Sequence, residues 1–517
     1  MKIERTKNAS RNMIFGFLLK IYQLMVPFIM RTVMVYFLGV QYLGLNSLFT
    51  SVIQVLNLAE LGVGTAMTFS MYKPIAEDDT KTICALMNLY KIYYRIIGLV
   101  ICVVGLCLIP FVPNLIQGDI PDGINIYILY LMNLGTTVLS YWLFAYKNCI
   151  LTAHQRDDIT SKVLMSTESI KYFLQLLVLA FFHNYYYYLL VVLGTQILTN
   201  VLTAVYADKM YPDYQAKGRL PKEEVKGINN RIRDLFTSKI GGVIVESSDT
   251  LVISAFLGLT VLAVYQNYFY LITAISSIIA IILNACRAGI GNSLVVETDE
   301  KNFIDLKKFS FIIGWLGTVC SACFLNLFQP FMEMWMGKEL LLDYSIVICL
   351  CIYFYVYEFN NLLNLYKDAA GIWYKDKLRT LLTALTNLVL NLTTVKFLGL
   401  YGIILSTVIS TVIVGMPWLL SNLFTTVFDM KYMKEYIKLL IEHAIVALLS
   451  CIFSYFCCSL INGTGVLVIA ARLCIVIVVV NTILFVAFGR TDVFYQCLEL
   501  LNRISKGRIP VVKKLIK

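Results

Sequence analysis

The chain alternates long apolar runs with short polar segments, and this pattern predicts its elements. The apolar runs are about twenty residues long, which is the length that an α-helix needs to cross a hydrocarbon core of roughly 30 Å. We therefore predict an all-α polytopic membrane protein with about fourteen transmembrane helices. They lie near residues 13–38, 44–70, 92–114, 124–146, 163–182, 185–206, 237–257, 262–286, 309–328, 340–362, 380–397, 400–424, 439–460 and 466–488.

Composition agrees with this pattern and narrows the class of protein. Of the 517 residues, 59% are hydrophobic and 15% are charged, whereas a soluble globular chain is about 45–50% apolar and about 25% charged. This excludes a soluble enzyme, a nucleic-acid-binding domain and a disulfide-stapled secreted protein. The 14 cysteines fall mostly within apolar runs and are interpreted as packing residues. The three histidines show no metal-ligand spacing, so no metal site is predicted.

The basic residues are distributed very unevenly between the two faces of the membrane. Of the 43 lysines and arginines, 35 lie on the face that carries both termini, and six lie within spans. The opposite face carries two, Lys338 and Lys396. Cytoplasmic loops of membrane proteins are enriched in Lys and Arg. The split therefore predicts a multi-pass protein of a bacterial cytoplasmic membrane with both termini in the cytoplasm, and it accounts for the net charge of +11.

The longest polar stretch predicts how the spans are grouped. It covers residues 207–236, is basic, and follows the sixth span, so we interpret it as a cytoplasmic linker between two six-helix halves. The predicted domains are an N-terminal lobe over 1–206, this linker, a C-terminal lobe over 237–424, and two additional helices with a basic cytoplasmic tail over 425–517.

Short motifs recur in the two halves. Phe37-Leu38-Gly39 in the first half matches Phe256-Leu257-Gly258 in the second, with an offset of 219 residues. Glu60-Leu61-Gly62-Val63-Gly64 matches Arg287-Ala288-Gly289-Ile290-Gly291 in its glycines, with an offset of 227 residues. Internal duplication is common in transporters. The repeats thus predict two pseudo-symmetric six-helix bundles.

Polar side chains inside the spans are candidates for function, because an ionisable group at mid-span costs about 2.5–3.5 kcal/mol on insertion scales. In the first span, Lys20, Gln23, Pro27 and Arg31 follow at intervals of three, four and four residues, so they share one helix face. Proline favours a bend there. A bent helix with a cationic face is expected to line a hydrated cavity. The alternative is that Lys20 reaches the membrane surface and Arg31 pairs within its own half.

The repeat frame places one embedded basic and one embedded acidic residue in each half, with the signs exchanged. Arg31 corresponds to Asp249, and Glu60 corresponds to Arg287. Our hypothesis is that Arg31 pairs with Asp249 near the outer side and Glu60 with Arg287 near the inner side, closing two gates in alternation. Static pairing within each half, or contact with lipid headgroups, is the alternative.

Other embedded ionisable residues have simpler interpretations. Glu168 and Lys171 lie three residues apart in the fifth span and are placed to neutralise each other. Arg95, Glu358 and Glu442 lie near the predicted cytoplasmic ends of spans, where reaching toward the membrane surface explains them.

Motifs along the whole chain resemble those of the oligosaccharide-lipid and polysaccharide flippases (Wzx-type) of the multidrug/oligosaccharidyl-lipid/polysaccharide exporter (MOP) superfamily. The segments are Phe37-Leu38-Gly39 after Arg31, Tyr42-Leu43-Gly44-Leu45, Leu56-Asn57-Leu58-Ala59-Glu60-Leu61-Gly62, Tyr72-Lys73-Pro74-Ile75-Ala76, Ser248-Asp249-Thr250-Leu251-Val252-Ile253-Ser254, Tyr265-Gln266-Asn267-Tyr268 and Leu398-Gly399-Leu400-Tyr401-Gly402. The likeness includes the layout of six, six and two helices.

The resemblance implies a pair of bundles that rock between two states around an undecaprenyl-pyrophosphate-linked glycan. The expected substrate-binding residues are Arg31, Arg287, Lys20 and Gln23. The expected gating or coupling residues are Glu60, Asp249, Glu168 and Lys171. Relatives suggest coupling to a proton or sodium gradient, and no cofactor is expected. Membrane lipids, a polymerase and glycosyltransferases of the same pathway are the expected partners, and no nucleic acid is.

We therefore expect a flippase for capsule, exopolysaccharide or wall-polymer synthesis, and not an enzyme. The chain has no glycine-rich phosphate loop, so it does not power transport with ATP. One alternative is a cation-coupled multidrug exporter of the same fold, for which we would expect an acid-lined pocket. Another is a membrane glycan polymerase or glycosyltransferase, against which the short outer loops count. A lipid II flippase differs from our expectation only in its cargo.

Overall fold

The structure is a computed structural model that describes residues 5–118, 120–461, 463 and 465–504. This part of the chain is helical throughout and contains no strand. Its helices are α1 Arg5–Phe37, α2 Val40–Leu56, α3 Val63–Ala76, α4 Thr80–Leu108, α5 Ile126–Trp142, α6 Asn148–Ala153, α7 Asp157–Phe182, α8 Tyr185–Met210, α9 Lys222–Leu257, α10 Leu259–Val296, α11 Asp299–Met336, α12 Tyr344–Ala369, α13 Trp373–Leu398, α14 Leu400–Ser410, α15 Met416–Thr426, α16 Met433–Ser459, α17 Val466–Phe488 and α18 Asp492–Ile504.

The predicted number of spans is confirmed. Within the described residues, thirteen helices are long and apolar enough to cross a membrane. Ile126–Trp142 and Ala145–Ala153, two helical pieces that meet at an angle of 47°, make a fourteenth if they are counted as one span. The all-α polytopic class predicted from the apolar runs is therefore correct.

Contacts divide the chain into two units, residues 1–263 and 264–517. In the first unit, α1 packs along α7, α7 along α8, α8 along α5, and α5 along α4, while α2 packs along α9. The predicted soluble stretch 207–236 is largely helical. Since α8 continues to Met210 and α9 already begins at Lys222, only a short segment separates the two helices. The predicted domain boundaries stay a prediction.

Side chains that satisfy free backbone N–H groups fix the starts of several helices. Asp79 accepts a hydrogen bond from the backbone N–H of Thr82 at the start of α4, and Asn125 does the same for Tyr127 at the start of α5. The pKa of Asp79 lies below its usual range because the Thr82 hydroxyl and backbone N–H donate to its carboxylate.

The repeated Phe-Leu-Gly motif forms the same turn in both places. Gly39, between α1 and α2, has φ 105° and ψ 165°. Gly258, between α9 and α10, has φ 89° and ψ 172°. Residues other than glycine rarely adopt this backbone conformation. The same three residue types occur once more at Phe397-Leu398-Gly399, where Gly399 has a different conformation, φ 55° and ψ −131°.

In the second unit, α11 lies at the centre and packs against α12, α16, α17 and α18. Aromatic rings fill one end of its core, where Phe303 stacks on Tyr432 with ring centroids 4.4 Å apart. Farther along α11, Phe311 packs among side chains of α17 and α18, including Val480 and Phe494. The helices predicted to be additional thus bury apolar surface on α11. The predicted basic tail beyond residue 504 lies outside the described residues.

Candidate functional site

The polar face predicted on α1 packs against α7 inside the membrane span. The Gln23 side-chain amide donates a hydrogen bond to the Glu168 carboxylate over 3.3 Å, and the hydroxyls of Tyr22 and Ser169 are 2.8 Å apart. Pro27 lies within α1, one turn after Gln23. The structure therefore brings together two of the residues that the sequence proposed separately, Gln23 and Glu168.

Two lysines near this contact lack a close ion pair. Lys20 is half-buried, and neither Lys20 nor Lys171 forms an ion pair with any carboxylate in the described part of the chain. The Lys171 ammonium instead lies over the ring of Tyr172, 4.3 Å from its centroid. Glu168 and Lys171 interact electrostatically without a close ion pair, so their mutual neutralisation stays a prediction. The second oxygen of the Glu168 carboxylate is buried without a hydrogen bond.

Arg31 lies one turn beyond Pro27 on the same helix face and is half-buried. Its guanidinium acts electrostatically on the buried hydroxyl of Tyr188, on α8. The Tyr188 hydroxyl in turn bonds with the side chain of Gln175, on α7. Arg31 thus extends the polar face of α1 toward α8.

Glu60 lies where a predicted continuous span is broken. A 3₁₀ turn, Asn57–Glu60, separates α2 from α3, and Gly62 follows with φ 90°. The Tyr94 hydroxyl donates to the Glu60 carboxylate over 3.2 Å, and Tyr90 donates to Tyr94. Broken helices with carboxylates are typical of ion and substrate sites in transporters.

The corresponding position in the second half is not broken. Gly289 and Gly291 lie inside the continuous helix α10, whereas Gly62 ends a turn. The repeat therefore preserves the spacing of the glycines but not the helix break. Sequence reasoning identified Glu60 and missed the break, whose signal was the local run Asn57 to Gly64.

Asp249 is buried on α9, and other charges of this helix face α2 and its break. The Gln54 amide donates to the Glu246 carboxylate over 3.1 Å, and Lys239 acts electrostatically on Glu60. Sequence reasoning missed Lys239 and Glu246, whose spacing of seven residues was the available signal. The pairing of Arg31 with Asp249 stays a prediction.

In the second unit, Arg287 is half-exposed on α10. Its guanidinium donates to the Asn284 side chain over 2.7 Å and lies 3.8 Å from the Asp368 carboxylate on α12. Asp368 also pairs with Lys367 at 2.9 Å. The pairing predicted between Arg287 and Glu60, which belongs to the other unit, stays a prediction.

Next to Arg287, the second unit contains a buried ion network that the sequence did not reveal. Asp376 and Arg379 lie on adjacent turns of α13, and the Arg379 guanidinium donates two hydrogen bonds of 2.6 and 2.8 Å to the Asp376 carboxylate. Lys367 lies 3.5 Å from Asp376, and the Asn422 amide donates to it over 3.2 Å. Since each charge has a partner, the network holds α12, α13 and α15 together rather than offering a site.

Glu358 contradicts its interpretation as a residue near the membrane surface. It is 1% exposed, and neither carboxylate oxygen meets the geometry of a hydrogen bond in the described part of the chain. The polar side chains that interact with its carboxylate are those of Ser276, on α10, and Cys320, on α11. The prediction failed because hydropathy places a residue along a helix axis but does not give the face on which it lies.

An apolar groove of about 620 Å³ runs between α11, α12 and α16 in the second unit. Its walls include Ile348, Ile352, Leu448, Ile452 and Phe456, all of which are 41–63% exposed. The only ionisable groups lining it are the cysteines and tyrosines of those helices. It can therefore take an apolar chain but no charged group.

No set of three potential metal ligands is grouped within the described residues. All 14 cysteines are free.

The comparisons with known proteins decide the family. Residues 9–286, which make up more than half of the chain, match the sequence profile of the family described as "Polysaccharide biosynthesis protein". The chain belongs to this family.

Solved structures with the same fold are membrane transporters. A "Lipid II flippase MurJ, inward closed conformation" is 14% identical, has a TM-score of 0.67, and matches over 92% of this chain and 98% of its own. An inward-facing multidrug resistance MATE transporter of the MOP superfamily is 14% identical, with a TM-score of 0.59 over 81% of this chain and 99% of its own. A eukaryotic MATE transporter is 11% identical, with a TM-score of 0.56 over 85% of this chain and 99% of its own.

No curated protein matches the chain closely enough to count as a relative. The family and the fold confirm the resemblance found in the sequence. The chain is a member of a polysaccharide biosynthesis family and has the fold of these membrane transporters, with many helices that can span a membrane.

Proposed function

We propose that this protein is a flippase that moves undecaprenyl-pyrophosphate-linked oligosaccharide repeat units from the cytoplasmic to the outer leaflet. It would serve capsule, exopolysaccharide or wall-polymer synthesis in a bacterial cytoplasmic membrane, with both termini in the cytoplasm. Transport would proceed by alternating access, and a polymerase and glycosyltransferases of the pathway would act on the same glycan. The family and the MOP fold support this class of cargo.

The observation that carries the proposal is a pair of embedded lysines within the first unit, of which only Lys171 interacts electrostatically with a carboxylate, that of Glu168. Lys20 and Lys171 lie on membrane-spanning helices that pack together, and neither forms a close ion pair. A cation inside a span is costly unless it faces water or a partner. A pyrophosphate supplies the missing negative charge, and Gln23 and Arg31, on the same face of α1, add hydrogen-bond donors that suit its oxygens.

Within the second unit, the groove between α11, α12 and α16 has the chemistry that suits a polyprenyl chain. Its walls are apolar and open to the exterior of the second unit, so a polyprenyl chain can lie in it without displacing any hydrogen bond. Burying apolar surface there contributes about 25 cal/mol per Å². A small cationic drug would gain nothing from a groove without acidic groups.

Coupling to a proton or sodium gradient is the part of the proposal that involves the acidic residues. Glu60 lies at a helix break and receives the Tyr94 hydroxyl, which leaves its other oxygen available for a cation or a proton. Glu168 has one carboxylate oxygen without a hydrogen bond, and Asp249 is the acidic candidate on α9. These three residues remain the proposed coupling groups.

The test measures translocation of a fluorescent polyprenyl-pyrophosphoryl oligosaccharide in proteoliposomes. The double variant Lys20→Gln/Lys171→Gln is expected to slow its appearance on the far leaflet by about tenfold or more, since hydrogen bonds to charged groups are worth about 1.5–3 kcal/mol. Lys73→Gln/Lys338→Gln is the matched control, because both side chains are at least 80% exposed. Arg31→Ala should behave like the first double variant.

Two results would reject the proposal. One is transport of small cationic dyes with no movement of the glycolipid, which would indicate the multidrug exporter. The other is an equal rate for both double variants, which would show that the embedded lysines do not contact the cargo. Comparison with lipid II as cargo separates the proposed substrate from a lipid II flippase.

A further inference from the structure

The bend that forms the fourth span is fixed in place against α4. Trp142, the last residue of α5, donates its indole N–H to the backbone carbonyl of Arg95 over 3.2 Å. Its ring covers Gly98, where a Cβ atom would lie 2.3 Å from the indole nitrogen. Phe144, two residues later, has φ 60°, a conformation that non-glycine residues rarely adopt. The chain is thus held in a strained turn at a defined place.

This turn brings basic side chains together. Lys91 and Arg95 lie one helical turn apart on α4, and both act on Tyr146, just after the bend: the Lys91 ammonium lies 5.8 Å from the centre of its ring, and Arg95 interacts with it electrostatically. Lys147 follows Tyr146 and pairs with Asp208, on α8. Neither Lys91 nor Arg95 is ion-paired in the described part of the chain. Of these three cations, only Lys147 therefore has an ion-pair partner.

A polar pocket of about 430 Å³ opens beside these charges. It is lined by Lys91, Tyr146, Lys147, Asp208 and Tyr214, together with Pro212, Gln215 and Ala216. Its far wall is the segment after α8, where Tyr214 stacks on Tyr211 with ring planes 13° apart. The pocket is thus built from four separate parts of the first unit and does not depend on a single loop.

Exposed aromatic rings near the pocket indicate that it lies at the depth of lipid headgroups. Trp142 and Phe144 flank it in sequence and are 44% and 45% exposed, and Tyr206, two residues before Asp208, is 46% exposed. Exposed aromatic rings mark the interface between hydrocarbon and water in membrane proteins. Basic side chains at this depth on the face rich in Lys and Arg attract anionic lipids.

We propose that this pocket binds the phosphate headgroup of an anionic phospholipid, such as phosphatidylglycerol or cardiolipin, from the leaflet on the basic face. The phosphate would lie between Lys91, Arg95 and Lys147, and its acyl chains would extend past Trp142 and Phe144. Binding would relieve the repulsion among the three cations and would hold the bent span against α4. This inference needs only that the chain spans the membrane, and it does not depend on the identity of the cargo.

The experiment counts phosphatidylglycerol retained by the purified protein, by native mass spectrometry after exchange into phosphatidylcholine nanodiscs that contain phosphatidylglycerol as a minor component. The double variant Lys91→Gln/Arg95→Gln is expected to retain at least about threefold less than the wild type. The control Lys73→Gln/Arg233→Gln removes the same charge from side chains that are 83% and 70% exposed and should retain the wild-type amount. Lys91→Arg/Arg95→Lys, which keeps both charges, should also bind.

Four results would overturn the proposal. Equal loss in the test and control double variants would show a general attraction to charge. Protection of Lys91 from amine-reactive reagents by inorganic phosphate alone, without lipid, would indicate a site for a free anion. Displacement of the bound lipid by polyprenyl pyrophosphate at equal concentration would assign the pocket to the cargo. A double variant that elutes as a monodisperse species yet binds normally would likewise reject it, because its fold would be intact.

Discussion

The ionisable side chains inside the spans differ in whether the fold supplies them with a partner. Asp376 receives three hydrogen bonds from Arg379 and Asn422, and Glu168 receives one from Gln23. Glu358 receives none. Since a buried polar group without a partner costs about 1–3 kcal/mol, Glu358 weakens the second unit, whereas Asp376 strengthens it.

Removing the Glu358 carboxylate should therefore stabilise the protein. Glu358→Met has nearly the same length and leaves no polar atom to desolvate, so we expect the free energy of unfolding to rise by about 1–3 kcal/mol. The measurement is the thermal unfolding midpoint in detergent. The same change at Glu442, which is 52% exposed, is the control and should have little effect. A lower midpoint for Glu358→Met would mean that the carboxylate has a stabilising partner.

His154 should make the first unit sensitive to acid. Its Nδ1–H donates to the carbonyl of Ile150 over 2.9 Å, its ring stacks 4.2 Å from that of Tyr211, and its Nε2 is buried without a partner. Burial lowers the pKa of His154 below its usual range. The folded protein therefore keeps His154 neutral while the unfolded chain takes up a proton below about pH 6.5, so stability is complete above that pH and is lost as the pH falls below it.

The measurement for His154 is the unfolding midpoint between pH 7.5 and pH 5. We expect the midpoint to fall with pH, and to fall less steeply in His154→Gln. His183→Gln is the control, since His183 is exposed, and it should follow the wild-type profile. Identical slopes for wild type and His154→Gln would contradict the prediction.

At the scale of elements, glycines let helices approach one another where side chains could not. A Cβ at Gly44 would lie 2.3 Å from the carbonyl oxygen of Leu259, and one at Gly62 would lie 2.7 Å from Leu235. These contacts hold α2 and α3 against the α9–α10 region at both ends. The sequence could identify Gly39 and Gly258, because their motif repeats, but not Gly44, whose role depends on a partner more than 200 residues away.

Gly44→Ala tests the close approach of α2. The added methyl group meets backbone rather than a flexible side chain, so the helices must separate, and overpacking of this kind costs about 1–3 kcal/mol. We expect a lower unfolding midpoint than in the wild type. Gly135→Ala is the matched control: Gly135 lies inside α5 with nothing within 4 Å of its Cβ position, and alanine there should be neutral or stabilising. Equal midpoints would show that the contact relaxes without cost.

At the scale of the molecule, the sequence predicts some properties and not others for a physical reason. The length of each apolar run is set by the thickness of the membrane, so the number of spans and the helical class could be predicted from hydropathy. Gln23 and Glu168 were each identified from their spacing within one span, but their contact was not. Pairing between distant charges depends on helix rotation and on which spans are neighbours, and neither is encoded in spacing. The Asp376–Arg379 network and the break before Gly62 could not be foreseen for this reason.

Arg287 is the residue at which the local and the whole-molecule explanations differ most. Its pair with Asp368 is long and half-exposed, and such pairs are worth about 0–1 kcal/mol, so Arg287→Gln should change the unfolding midpoint little. If Arg287 contacts the pyrophosphate of the cargo, the same variant should slow translocation about ten- to a hundredfold, and Arg287→Lys should retain part of the rate. We expect Arg287→Glu to be inactive and to stay inactive when combined with Asp368→Arg or with Glu60→Arg, because neither reversal places a cation at position 287. Recovery with Asp368→Arg would reduce Arg287 to a static pair within the second unit, and recovery with Glu60→Arg would support the gate that the repeat frame predicted.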